Sequence, residues 1–265
     1  MAPLNFATVL FSGGIDSLAC LEWARQRFGS VTALYVNLDV SYSKYELGVC
    51  RSMVFGSNVR TEYIEFPELG KHEDALGHVP FRNIFFLEMA AMYSDNVVFV
   101  MLRGEYSEDK SPAFVKRMQS LFDSQTAANL YNSGERKIIH VPFAKKTKTQ
   151  VVAWLLQQGY TRNDLRQTIG CLQGRACGQC MSCLNRWIAF ENNGLGNLDQ
   201  FEGTMTPARW GLDMLQQRKQ GITSQAFKEV SWWKKRHWIL DAHRAYTSAV
   251  RRGLVSVTPF QVLFP

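Results

Sequence analysis

The apolar run Ala7, Thr8, Val9, Leu10, Phe11 passes directly into Ser12, Gly13, Gly14, Ile15, Asp16, Ser17. The β-branched and aromatic run suits a short strand covered on both faces. The adjacent glycines allow unusual backbone angles and close approach to a ligand. A helix from about Asp16 through Arg27 then directs its free N–H groups and positive dipole end into the turn, a ready site for a polyphosphate. The Lys-Ser/Thr pair of a Walker loop is missing, which argues against kinase-like transfer of a γ-phosphoryl group.

Strand and helix patterns alternate after this corner. Val31–Val36 reads as a second strand, followed by a helix that includes Tyr45–Val54. Val59–Phe66 is a third strand, Arg82–Tyr93 an amphipathic helix and Asn96–Leu102 a fourth strand. Lys137–Val141 is a fifth, with a helix over Thr149–Gln158. Strands separated by helices predict an α/β fold with a doubly wound, mostly parallel sheet. Ligands in such sheets sit beyond the carboxyl ends of the strands, where the Ser12–Ser17 turn falls.

The chain has 265 residues, 46% of them hydrophobic, enough for one substantial α/β core and a smaller appendage. No apolar run approaches membrane-spanning length, and no basic stretch precedes a signal-like apolar segment, so a cytoplasmic protein without a membrane partner is expected. Four of the six cysteines, Cys171, Cys177, Cys180 and Cys183, fall within thirteen residues. Such spacing reads as metal ligands in a reducing compartment rather than a disulfide framework. Four thiolates supply the closed tetrahedral shell of a structural Zn²⁺ site, which contributes folding free energy directly. An iron–sulfur cluster is the competing occupant. Cys20 and Cys50 stand alone in helical stretches and read as small buried hydrophobes.

The turn resembles the SGGxDS signature of the ATP-pyrophosphatase (PP-loop) enzymes, which grip the β,γ-pyrophosphate of ATP while an oxygen nucleophile attacks the α-phosphorus. With Cys171 followed by Cys177-Gly-x-Cys180-x-x-Cys183, then Arg186, Ala189 and Phe190, the chain more specifically resembles the 7-cyano-7-deazaguanine synthase family. Val79-Pro80-Phe81-Arg82-Asn83 with Phe86, Leu87, Ala90 and Ala91 is similar to that family's V-P-x-R-N-x-x-F-L helix start. Glu108-Asp109 and Pro142 with Thr147-Lys148 fall where the family has its Glu-Asp pair and its P-x-x-x-x-T-K segment. The resemblance covers about residues 5–195.

It implies an ATP-dependent, AMP-forming carbon–nitrogen ligase. Ser12, Gly13, Gly14, Asp16 and Ser17 would bind ATP, with Asp16 orienting the loop or sharing a Mg²⁺ with the phosphates. Arg82 and Lys148 would oppose charge building on the α-phosphate and leaving group. Arg82, Asn83, Glu108 and Asp109 would meet a deazaguanine base. A 7-carboxy-7-deazaguanine would be activated as its acyl-adenylate and attacked by nitrogen, giving the amide and then the nitrile.

The chain departs from the family at three places. The loop after Cys171 is short. The family's Tyr-Gly-Gln segment is replaced by Val40-Ser41-Tyr42-Ser43-Lys44, and its Gly-Tyr-Pro-Asp-Cys run by Lys110-Ser111-Pro112-Ala113-Phe114. Residues 201–265 also hold ten Lys/Arg against four Asp/Glu, about +6 of the chain's formal +7. Trp232, Trp233 and Trp238 interleave there with Lys234, Lys235, Arg236 and His237. Tryptophans at helical spacing read first as an anchor on their own domain or on a second subunit of a homo-oligomer, and alternatively as a patch for protein or nucleic acid. The apolar end, Phe260, Val262, Leu263 and Phe264, is expected to dock on a core or on a neighbouring subunit. Three parts follow: a PP-loop domain over 1–165, a four-cysteine zinc segment over 166–195 and a basic, Trp-rich region over 196–265. Two readings of the nitrogen donor stand side by side, free ammonia or a macromolecular amine. A PP-loop tRNA sulfur-transfer enzyme with an iron–sulfur cluster is a third reading, against which the fourth cysteine and Pro80-x-Arg82-Asn83 count.

Overall fold

The computed structural model describes residues 6–53, 55–74, 77–104, 107, 109–127, 136–171, 173–174, 176–196, 198–199, 205–219 and 236–263. The chain divides into two compact units, residues 1–145 and 146–265.

In the first unit five parallel strands form one sheet in the order β3-β2-β1-β4-β5. They are β1 (Phe6–Leu10), β2 (Ser30–Asn37), β3 (Val59–Glu65), β4 (Asn96–Val98) and β5 (Ile138–His140). Ala7, Thr8 and Val9 of β1 are buried in succession, as a central strand flanked on both faces requires. The flanking helices are α1 (Ile15–Arg25), α2 (Ser43–Ser52), the single turn α3 (Pro67–Gly70), α4 (Arg82–Tyr93) and α5 (Pro112–Ala127). Leu34, Val36, Leu87, Ala90, Val97, Phe99, Phe114, Met118 and Phe122 share one core cluster. Its last three members lie four residues apart on α5, so one face of that helix closes the core. The chain runs β1-β2-β3 outward and returns to place β4 on the other side of β1. The loops after β1 and β4 therefore diverge at the carboxyl edge, the place where sheets of this topology take ligands.

The expected doubly wound sheet is present, and α4 has the bounds read from its periodicity. The fourth strand is shorter than expected. Phe99 still donates its N–H to the His140 carbonyl of β5 at 2.9 Å, but Met101 and Leu102, also buried, lie beyond the ladder, because an apolar run fits a buried loop as well as a strand. Cys20 and Cys50 are both 1% exposed, as read. Burial pushes both thiols up, with the charges of Asp16 and Glu46 respectively adding to it.

The second unit is helical: α6 (Lys148–Gln157), α7 (Arg162–Gln167), α8 (Met181–Glu191), α9 (Pro207–Lys219), α10 (Arg236–Arg251) and α11 (Pro259–Leu263). Thr147 and Gln150 form a reciprocal capping box at the start of α6, and Thr161 and Asp164 do the same for α7. Leu184, Trp187 and Ile188 of α8 pack with Leu212, Leu215, Trp238, Ala242, Ala245, Tyr246 and Val262. Trp238 is thus an anchor within its own unit, and its Nε1–H donates to Asn185 Oδ1 at 2.7 Å. Of the apolar end, Val262 docks on this core as expected, whereas Phe260 is 38% exposed and meets the His243 ring. Trp232, Trp233, Lys234, Lys235 and Phe264 lie outside the described residues, as does the side chain of Arg236. No described helix is long and apolar enough to cross a membrane.

Candidate active site

The carboxyl edge of the sheet carries the turn from β1 into α1. Gly14 is the N-cap of α1 in extended conformation, and no side chain caps the helix. The first turn and the positive end of the helix dipole face the loop. Ser17 instead folds the loop itself: its hydroxyl donates to the Gly14 carbonyl at 2.9 Å and accepts from the Ser12 N–H at 3.3 Å. Gly13 has φ +72°, and a Cβ there would lie 2.8 Å from Val49 Cγ1 of α2. Glycine is required twice over, by backbone conformation and by packing. Asp16 is half-buried in the first turn, with its Oδ1 withdrawn from solvent. A carboxylate in the same turn as the Ser12 hydroxyl offers hard oxygen donors suited to Mg²⁺ accompanying phosphates.

The start of α4 and the segment after β4 come to the same carboxyl edge of the sheet. Arg82, the first residue of α4, donates from Nη1 to Tyr42 Oη at 2.8 Å. The departing segment Val40–Lys44 thus supplies Arg82 with its partner. Asn83 Nδ2 donates to Asp109 Oδ2 at 2.8 Å, and Ser107 Oγ donates to Asp109 Oδ1 at 2.8 Å. This ties the start of α4 to the segment after β4, with lone pairs remaining on the carboxylate. Glu108 lies outside the described residues. Phe81 precedes Arg82 in the left-handed region at φ +61° and is 69% exposed. A bulky residue in that conformation costs about 1–2 kcal/mol, the kind of strain that collects at functional sites.

Glu46 is the site residue that the sequence reading missed. The single hydroxyl proton of Tyr35 on β2 is shared between the Ser43 carbonyl at 3.2 Å and Glu46 Oε2 at 3.4 Å. Burial raises the Glu46 carboxyl to about 7, opposed by the Arg82 charge and the Tyr35 hydrogen bond. Burial likewise pushes the Tyr42 hydroxyl up, opposed first by Arg82. The available signal was its position three and four residues before Val49 and Cys50, on the face of α2 that meets the loop.

In the second unit, Lys148 opens α6 directly after the Thr147 cap. The four cysteines converge there, with all Sγ atoms within 4.8 Å of one another. Cys171 and Cys180 are 3.9 Å apart, as are Cys177 and Cys183. A tetrahedral zinc with bonds of about 2.3 Å needs sulfurs about 3.8 Å apart, so the donor set fits that ion. The N–H groups of Gln173, Gln179 and Cys183 point at the sulfurs of Cys171, Cys177 and Cys180 at 3.3–3.4 Å, as donors that stabilise thiolates do. Without a cation the crowding is unfavourable. The thiols of Cys180 and Cys183 hold Cys171 low as a thiolate, and hydrogen bonding to Cys171 pushes those two up. Four thiolates in this volume require a positive centre. Just beyond, Arg186 grips Asp199 at 2.7 and 3.1 Å and also donates to Thr168 Oγ1 and the Leu165 carbonyl, all within the second unit.

Comparison with known proteins gives the family. The family model described as "Queuosine biosynthesis protein QueC" matches residues 6–75 and 54–194. A 7-cyano-7-deazaguanine synthase from Legionella pneumophila (strain Corby) is 28% identical over 225 residues, covering 74% of this chain and 96% of that protein. The synthase of that name from Psychrobacter sp. (strain PRwf-1) is 28% identical over 237 residues, covering 74% and 90%. The one from Novosphingobium aromaticivorans is 29% identical over 227 residues, covering 76% and 96%. The glycine loop, the Arg82-Asn83 helix start and the four-thiol centre all lie inside the matched region, and the chain belongs to the QueC family.

Proposed function

We propose that this chain activates the carboxyl group of a 7-carboxy-7-deazaguanine with ATP and passes it to a nitrogen nucleophile, forming the amide and, by a second activation, the nitrile. The observation that carries this reading is the Ser12–Ser17 loop. Its uncapped helix start and left-handed Gly13 make an anion cradle at the carboxyl edge of a parallel sheet. The curated relatives named 7-cyano-7-deazaguanine synthase support the substrate class.

In this mechanism the amides of Gly13 and Gly14 and the first turn of α1 hold the pyrophosphate of ATP. Asp16 would hold Mg²⁺ against it, and the ion when bound offsets phosphate charge. An oxygen of the acid attacks the α-phosphorus and pyrophosphate leaves. Arg82 stabilises the charge that develops there, its position set by Tyr42. Adenylation creates a leaving group where oxide could not leave, and holding both reactants on one edge adds the advantage of proximity. The Asn83–Asp109 pair fixes the start of α4 and leaves acceptor capacity for an amino-bearing heterocycle. The four-cysteine centre is structural, since four sulfur ligands leave no position for a catalytic water.

A second reading, in which the amine belongs to a macromolecule, is favoured by one observation: the family match ends at residue 194, ahead of the block carrying about +6. Incubation with ATP, the deazaguanine acid and ammonium, followed by product mass, tests both. Free amide or nitrile with AMP supports the first reading. Deazaguanine found only on added protein or nucleic acid supports the second, and ADP as sole nucleotide product contradicts both.

A further inference from the structure

The helix α2 spans the distance between the glycine loop and Arg82, and its residues order the ground between them. Val49 meets Gly13, with Cγ1 2.8 Å from the position a Cβ would take there. Cys50 Sγ lies 3.5 Å from the same position and 3.8 Å from the Phe11 carbonyl oxygen. At the other end of the helix, its N-cap Tyr42 accepts the hydrogen bond of Arg82 at 2.8 Å. Glu46 stands between them, four residues or about 6 Å of helix rise from Cys50 and on the same face. A triphosphate held by the loop and an acid held at Arg82 would bring their reacting atoms together over this interval.

We propose that Glu46 is the proton acceptor of the amide-forming step, held in place by Tyr35 and by the field of Arg82. The assignment rests on the adenylation reading above. In that step the nitrogen lone pair attacks the carbonyl carbon of the acyl-adenylate and a C–N bond forms. The C–O bond to AMP breaks, and its electron pair leaves on the AMP phosphate. The nitrogen, positively charged after attack, gives one proton to the Glu46 carboxylate, which later releases it to water. Adenylation itself releases no proton, so it makes no such demand.

The surroundings suit this task. Glu46 faces Tyr35 from β2, Tyr42 and Cys50 from α2 itself, and Arg82 from α4, with Glu73 close to Tyr42. Arg82 is the only cation among these groups, and its attraction does not cancel the effect of burial. The carboxyl is therefore partly protonated at neutral pH, which limits repulsion of phosphates and keeps a base available for a proton of moderate acidity. The Tyr35 hydroxyl lies between the Ser43 carbonyl and Glu46 and shares its one proton between them, which orients the carboxyl toward β2.

The test separates the two half-reactions in Glu46→Gln and Glu46→Asp. Acid-dependent ATP–pyrophosphate exchange reports adenylation. Capture by hydroxylamine, which stays unprotonated through neutral pH, reports the amide-forming step. The expected result is exchange retained in Glu46→Gln while capture falls about a hundredfold or more, with partial recovery in Glu46→Asp. The wild-type capture rate should rise with pH and level off above about 7, and the glutamine variant should lose that inflection. Loss of exchange and capture in equal proportion in both variants, or an unchanged inflection in Glu46→Gln, would overturn the assignment. Wild-type protein without acid-dependent exchange would overturn the adenylation reading itself, and the assignment with it.

Discussion

Gly13→Ala probes the loop most sharply, because two independent costs can be worked from its surroundings. The residue sits at φ +72°, where a Cβ costs about 1–2 kcal/mol. That Cβ would also lie 2.8 Å from Val49 Cγ1 and 3.2 Å from Val49 Cβ, inside the optimal carbon separation of about 3.5–4.0 Å. Val49 is β-branched within a helix and has essentially one rotamer, so α2 rather than the side chain must yield. Overpacking of this kind costs about 1–3 kcal/mol, giving a total of about 2–5 kcal/mol. The melting temperature should fall by roughly 5–15 °C. Displaced loop amides should also reduce acid-dependent ATP–pyrophosphate exchange by about a hundredfold. Thermal unfolding of Gly13→Ala, Val49→Ala and the double variant resolves the two costs. Against the Val49→Ala background the glycine substitution should cost only the backbone part, leaving a coupling of about 1 kcal/mol or more. A Gly13→Ala protein that melts with wild type, or a double variant with strictly additive losses, would refute the packing of α2 on the loop.

Three further outcomes are expected. Purified protein should carry zinc in a one-to-one ratio with the chain, and Cys183→Ser should lower the melting temperature or cause aggregation, since ion binding is coupled to folding; iron and sulfide in place of zinc, by elemental analysis, would contradict the site. Asp199→Ala leaves the Arg186 guanidinium, 9% exposed, without its carboxylate, and chemical denaturation should show a loss of about 3–5 kcal/mol; a loss under about 1 kcal/mol, typical of an exposed pair, would refute its burial. Because the folded-state carboxyl of Glu46 is raised to about 7, its contribution to stability is fully present below the unfolded value of about 4.5 and is lost as pH rises through about 7. Glu46→Gln should therefore melt higher relative to wild type above pH 7 than at acidic pH, and a difference independent of pH would show that the group is not withdrawn from water.

The features that could be read along the chain are those whose members are neighbours in sequence. The β1–loop–α1 corner and the four cysteines carry their chemistry within short spans, and both fold as read. The bounds of α4 follow from one helix face, with Leu87, Ala90 and Ala91 turned to the core. Phe99–Leu102 was less legible, because apolar character reports burial and not ladder pairing. Helix α5 goes unread although Phe114, Met118 and Phe122 recur at helical spacing, since Pro112 and its flanking polar residues look like a loop when taken alone. The Tyr35–Glu46 and Tyr42–Arg82 contacts could not be read locally at all. Tyr35 and Glu46 lie on the consecutive elements β2 and α2 but meet through side-chain direction, and Arg82 reaches Tyr42 only because α4 carries the chain back across the sheet to β4.

Attack by a substrate carboxylate on the α-phosphorus of ATP leaves an oxygen of the acid on AMP, which isotope transfer detects. The deazaguanine acid is prepared with heavy oxygen in its carboxyl group and turned over with ATP and an amine, and the nucleotide product is analysed by mass. The account predicts AMP carrying one heavy oxygen from the acid, with unlabelled pyrophosphate. Unlabelled AMP, or ADP and phosphate in its place, would contradict it.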